Sequence, residues 1–231
     1  MRLTAPALFF NDCLVSHKES PMEAPTPRRR RKDARPAELL DAALDTFREK
    51  GFAATRMEDI AARAGVSKGT IYLYYPSKEA VFEALVRANL VPRIERIQAL
   101  MATAQGPATE RLHMMITAFA QVAADARLVA LPKLVLAEAG NFPDLARFYR
   151  HEVIGRGLAI VAGILRGGME SGEFRALDPE VTARLFMAPM ILAALWRTTF
   201  APIEDAPLPP ETLLRQHLDL FLRGLRPEPA S

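Results

Sequence analysis

The chain has 231 residues, half of them apolar and a quarter charged, a balance that fits a water-soluble protein with a small domain and a larger one. Its single cysteine, Cys13, excludes an internal disulfide and a cysteine-based metal cluster, and His17, His113, His151 and His217 lack ligand spacing, so neither a metal nor a cofactor is expected. The net charge of +3 is uneven, with eight Lys and Arg against four acids in residues 1–35, and no apolar run reaches the about 18 residues of a membrane span; together these point to a cytoplasmic chain that meets a polyanion.

Residues 1–34 contain Pro6, Pro21, Pro25 and Pro27 and show no helical periodicity, so a disordered arm is expected there. The apolar patch at 5–10 is too short and too weakly flanked for a signal peptide. The run RRRRK at 28–32 reads either as a solvated tail or as an arm lying along phosphate or reaching into a minor groove.

From Pro36 the pattern is helical almost to the end. Pro36 suits a first helical turn; Leu39, Leu40, Ala43, Leu44 and Phe47 form one apolar face, and Gly51 offers a left-handed stop. Thr55 and Glu58 have the spacing of a capping box for a short helix at 58–64 that ends at Gly65. Ser67 caps a second short helix at 68–74, and Ser77 caps a long one from Lys78 to about Met101, with Pro92 as a kink. Further helices are expected near 108–126, 128–139, 143–171, 178–200 and 210–225, with breaks at the Gly and Pro clusters between them. The fold class is therefore all-α: an N-terminal three-helix unit at 35–95, a larger helical region at 96–226 and a short tail at 227–231.

The two short helices have the spacing of a helix-turn-helix, in which the second helix enters the major groove. Gly65 supplies the positive φ of the turn, and Ile60, Ala61, Val66 and Ile71 supply the inner faces. Ser67, Lys68, Gly69, Thr70, Tyr72 and Tyr74 provide a surface of small and polar groups for base edges. Lys68 and Lys78 can each neutralise a phosphate, and the helix starts at Thr55, Ser67 and Ser77 present free N–H groups to the backbone.

The segments FREKGFAAT at 47–55, IAARAGVS at 60–67 and KGTIYLYYPSK at 68–78 resemble the amino-terminal domain of the tetracycline-repressor (TetR) family of regulators. The resemblance implies DNA contacts at Thr55, Lys68, Gly69, Thr70, Tyr72, Tyr74 and Lys78, with Tyr74 standing where many members carry His. It also implies that the carboxy-terminal region forms a homodimer and takes a small hydrophobic effector, so that a repressor leaves its operator when the effector binds. Val181, Leu185, Leu192 and Trp196 on one helix, and Leu214, Leu218 and Phe221 on the last, are candidates for the dimer surface; the alternative is that these stripes pack within one subunit. A two-fold dimer would set two recognition helices ~34–36 Å apart on a near-palindromic site of double-stranded DNA. His113, Thr117, Gln121, Tyr149 and His151 are the candidate pocket residues, and Met101, Met114, Met115, Met169, Met187 and Met190 suit an adaptable cavity or plain core filling.

Two rival classes are weighed against this reading. A helix-turn-helix enzyme would need a nucleophile with a positioned base, or clustered carboxylates, and the sequence has no such constellation, so no enzyme is expected. An architectural DNA coater fits the basic arm but not the polar recognition helix or the large near-neutral second region.

Overall fold

A computed structural model describes residues 30–227, and every regular element among them is helical. Most of the expected arm (residues 1–29) and the end of the tail (residues 228–231) lie outside the described residues. No single helix among the described residues is long and apolar enough to cross a membrane.

The first helix, α1 (Arg30–Ala54), starts before Pro36, which therefore sits inside the helix rather than in its first turn. Gly51, with φ 77° and ψ 168°, breaks the helical path near its end, a left-handed conformation that only glycine adopts without cost. Short α2 (Met57–Arg63) and α3 (Lys68–Tyr74) follow, joined through Gly65 at φ 65°. The expected cap of α2 is shifted by one residue. Arg56 is the cap, its N–H donating to Asp59 Oδ2 at 2.9 Å, while the Thr55 hydroxyl turns back to donate to the Gly51 carbonyl at 2.6 Å. Ser67 and Ser77 cap as expected: their hydroxyl oxygens accept from Thr70 N at 3.1 Å and Ala80 N at 3.2 Å.

The expected long helix is two, α4 (Lys78–Asn89) and α5 (Val91–Thr103), broken at Leu90. Pro92 has no N–H for the carbonyl four residues back, so the ladder is interrupted there. The remaining helices are α6 (Ala108–Ala124), α7 (Ala126–Glu138), α8 (Pro143–Tyr149), α9 (Arg156–Glu170), α10 (Pro179–Thr199) and α11 (Pro210–Leu225). A π-helical turn, Arg150–Gly155, links α8 to α9, so the helix expected at 143–171 is one rod with a widened turn in it.

Two apolar cores hold these helices. The first joins Phe47, Phe52, Ile60, Ile71 and Phe82 of α1–α4 to Leu131, Val135, Leu145 and Tyr149 of α7 and α8. Phe52 is edge-on to Phe82 at 5.9 Å and to Phe142 at 4.9 Å, and burial of each such ring contributes about 1.5–3 kcal/mol. The second core gathers Leu112, Val161, Leu165, Phe174, Phe186, Met190, Leu214 and Leu218. The boundary expected near residue 95 thus does not separate two cores, because α7 and α8 complete the core of the first helices. Polar contacts tie α7 to α1 at both ends: Arg127 pairs with Asp41 at 3.3 Å and Asp45 at 3.4 Å, and Glu138 accepts from Ala53 N at 3.1 Å.

Candidate nucleic-acid interface and effector cavity

Helix α3 is anchored by a single fully buried side chain, Ile71. At 100° per residue, Tyr72 and Leu73 rotate away from that anchor and are 43% and 84% exposed. Ser67, Lys68 and Gly69 are also exposed, and Thr70 is half-buried with its hydroxyl 2.8 Å from Ser67 Oγ. Six of the eight expected contact residues therefore share one short helix and its cap, with Tyr74 half-buried against the core and near Tyr75. Gly69 has no internal reason to be glycine: its backbone is not left-handed, and a Cβ there would meet only Ser67 Oγ at 3.9 Å. The space it leaves is on the outer face.

The other two expected contacts have inward roles. Thr55 is 2% exposed, and its hydroxyl is committed to the Gly51 carbonyl. Lys78 donates to the carbonyls of Phe52, Ala53 and Thr55 at 2.9, 3.0 and 3.4 Å, and its ammonium lies over the rings of Phe52 and Phe142. An ammonium has three hydrogens, and in this arrangement all three are turned towards these carbonyls. Where the sequence expects DNA contacts, Thr55 and Lys78 bond within the protein and close the end of α1 against the start of α4.

Lys68 is exposed but pairs with Glu58 at 2.6 Å, and this contact raises the lysine pKa and lowers that of the carboxyl. A phosphate would have to draw Lys68 from that partner. Arg56 is exposed at the start of α2 and makes no ion pair among the described residues, a free cation that the sequence reading passed over as a residue ahead of a helix. Leu73 was also missed, since apolarity alone suggests core; only its 200° offset from Ile71 turns it outward, where a leucine can meet a thymine methyl.

The five candidate pocket residues separate. A cavity of about 280 Å³ lies among α5, α6, α7, the α8–α9 rod and α10, walled by residues such as Ile94, Ile97, Met115, Phe119, Val129, Leu158 and Met187, and Tyr149 is the only one of the five on it. Tyr149 is 5% exposed, and burial pushes its phenol well above the usual range. His113 and Thr117 line a different, larger cleft of about 680 Å³ between α6, α10 and α11, where each bonds to a carbonyl of its own helix. Gln121 and the exposed His151 line neither, so they are corrected to surface positions.

The candidate dimer residues separate as well. Val181, Leu185, Leu192 and Trp196 fall within about 60° of one another around α10, and all four are exposed. Leu214 and Leu218 are 4% and 5% exposed, buried in their own subunit's core against α6 and α10, and Phe221 packs edge-on to Phe186 at 5.1 Å. The stripe on α11 is thus internal. Phe200, its ring tilted against Trp196 with centroids 4.7 Å apart, extends the exposed α10 surface and was not foreseen.

Residues 39–85 match the sequence model of bacterial regulatory proteins of the tetR family, and residues 110–224 match that of the AefR-like transcriptional repressor C-terminal domain. The chain is 31% identical over 139 residues to the fatty acid metabolism regulator protein of Bacillus subtilis, covering 60% of this chain and 70% of that one. It is 26% identical to the transcriptional repressor KstR2 of Rhodococcus jostii, over 84% of this chain and 92% of that one. Among solved structures, FadR from Bacillus subtilis in complex with stearoyl-CoA superposes with a TM-score of 0.68 at 26% identity, covering 82% of this chain and 99% of that one.

Proposed function

We propose that this chain, which belongs to the tetR family of bacterial regulatory proteins, is a transcriptional repressor that binds a near-palindromic operator as a homodimer and releases it when a small, mostly apolar molecule enters the α5–α10 cavity. The observation that carries the reading is α3 itself: Ile71 is its one fully buried side chain, while Ser67, Lys68, Gly69, Thr70 and Tyr72 form an outward surface small enough to lie against base edges. Arg56 and Lys68 are assigned to phosphate, and Tyr74 to a contact at the edge of the groove.

The exposed face of α10 (Val181, Leu185, Leu192 and Trp196) is assigned to the partner copy, since a regulator reading two half-sites needs a two-fold interface. The stearoyl-CoA held by the related FadR supports an effector with a long apolar part. Coupling runs through α7. Leu128, Val129, Pro132 and Val135 wall the cavity, while Leu131 and Leu134 pack in the core beneath α1, and Arg127 and Glu138 grip α1 directly. An effector that displaces α7 shifts the population away from the spacing that fits successive major grooves. The proposed place of action is the cytoplasm, and no catalytic step is assigned.

Selection of genomic fragments by the purified full chain tests the reading. The expected product is a near-palindrome with half-sites about one helical turn apart, bound at least about 10³-fold tighter than random duplex. A specificity ratio near one would favour an architectural coater instead.

A further inference from the structure

We propose that Tyr149 is the polar reading group of the apolar cavity, and that the effector is a mostly apolar molecule carrying a carbonyl-type oxygen and no positive charge. The inference rests on the reading of that cavity as the effector site. Its wall is aliphatic and aromatic apart from two polar side chains, Arg93 and Tyr149. Arg93, in the first turn of α5, donates one of its N–H groups across the break to the Asn89 carbonyl at the end of α4. Tyr149 is not occupied: its ring is buried, yet its hydroxyl has no hydrogen-bond partner among the described residues and is not one of their fully enclosed unpartnered atoms, so it keeps an opening for a ligand. Burial raises the phenol's pKa still further above neutral, so it keeps an O–H to donate.

The surroundings select the ligand further. No acidic side chain lines the cavity, so an ammonium entering it would be desolvated without a counter-charge and would face Arg93. An oxygen acceptor on an apolar body satisfies Tyr149 and asks nothing polar of the remaining wall. The π-helical turn begins at the next residue, and its Val153 and Ile154 form part of the wall, so the irregular backbone adjoins the polar point. Tyr149 also belongs to the core that extends to Phe47, Ile60 and Ile71, and its helix α8 packs against α4 and α7.

Three probes decide it: 2-octanone, its isostere 2-methyl-1-octene, in which a methylene replaces the oxygen, and octylamine. Each competes against a fluorescent apolar dye on the full-length protein and on Tyr149→Phe, which removes the hydroxyl and keeps the ring. In the unmodified protein the ketone should bind about tenfold tighter than the alkene, with the amine weakest. In Tyr149→Phe the ketone-to-alkene ratio should fall to about one while alkene affinity stays constant. A ratio unchanged by the substitution overturns the role of Tyr149 but leaves the cavity reading standing. If none of the probes displaces the dye, the cavity reading fails and this inference with it. Should Tyr149→Phe lose its melting transition, the ratio in the unmodified protein decides, and a value near one overturns the proposal.

Discussion

The ammonium of Lys78 lies 2.9 Å from the carbonyl oxygen of Phe52 and 4.8 Å from the centroid of the same residue's ring, so one cation closes the last turn of α1 and docks α4 onto it. Two further carbonyls meet the same ammonium, that of Thr55 part-buried and that of Ala53 exposed. Replacing Lys78 by Met keeps the aliphatic stem and removes the charge. Stability should fall by roughly 1–3 kcal/mol, as for carbonyls left without donors. The slope of operator affinity against salt should stay unchanged, whereas Arg56→Ala should reduce it by about one. Denaturant titration and fluorescence anisotropy at several salt concentrations measure both; a slope reduced by about one in Lys78→Met would return this residue to the phosphates.

Gly69 predicts an opposition between stability and function. A methyl group there meets nothing closer than 3.9 Å in the protein, and alanine is the better helix former by about 0.5–1 kcal/mol. Gly69→Ala should therefore melt at a higher temperature and bind the operator more weakly, because the methyl holds the helix off the bases. Equal operator affinity in the two proteins would mean that DNA does not approach this face.

Glu173 gives a pH dependence. Its carboxylate accepts from Ala108 N at 2.6 Å and Thr109 N at 2.7 Å, capping α6 from a distant turn. Burial pushes its pKa up, but the bonds from Thr109 and Ala108 and the charge of Arg111 outweigh this and hold it below the usual 4.5. A depressed carboxyl stabilises the fold fully above its unfolded value and loses that contribution as pH falls through the folded one. Glu173→Gln should thus melt below the unmodified protein at pH 7, and the gap should narrow once the pH drops below 4.5. Melting temperatures across that span check it; a constant gap would show that the charge is not what matters.

Leu185 and Leu218 separate the two apolar stripes. Leu185 is 62% exposed on α10 and Leu218 only 5% exposed on α11. Leu185→Asp should leave the helix content intact while sedimentation shows a monomer and operator affinity drops. Leu218→Asp should instead disrupt the fold, since it buries an unpaired charge. A dimeric Leu185→Asp protein would place the interface elsewhere.

Much of this architecture is written locally. The helices expected at 108–126, 128–139, 178–200 and 210–225 fall within two residues of α6, α7, α10 and α11, because Gly, Pro and capping side chains act on neighbours a turn away. Gly65, Ser67 and Ile71 were legible as turn, cap and anchor for the same reason. Thr55 was not, since its spacing to Glu58 matches a capping box while its hydroxyl finds a nearer carbonyl at Gly51.

By itself the sequence determined an all-helical chain with a short recognition helix, because period and caps are set by residues three or four apart. Only the tertiary structure decided which polar side chains are free to act. Lys78 and Lys68 read alike along the chain, yet one is held by carbonyls 23 to 26 residues away and the other faces solvent beside Glu58. Leu185 and Leu218 are equally apolar, yet only one has a neighbouring helix over it. Hydrogen-bond partners and burial are supplied by distant segments, and no local pattern encodes which of them will arrive.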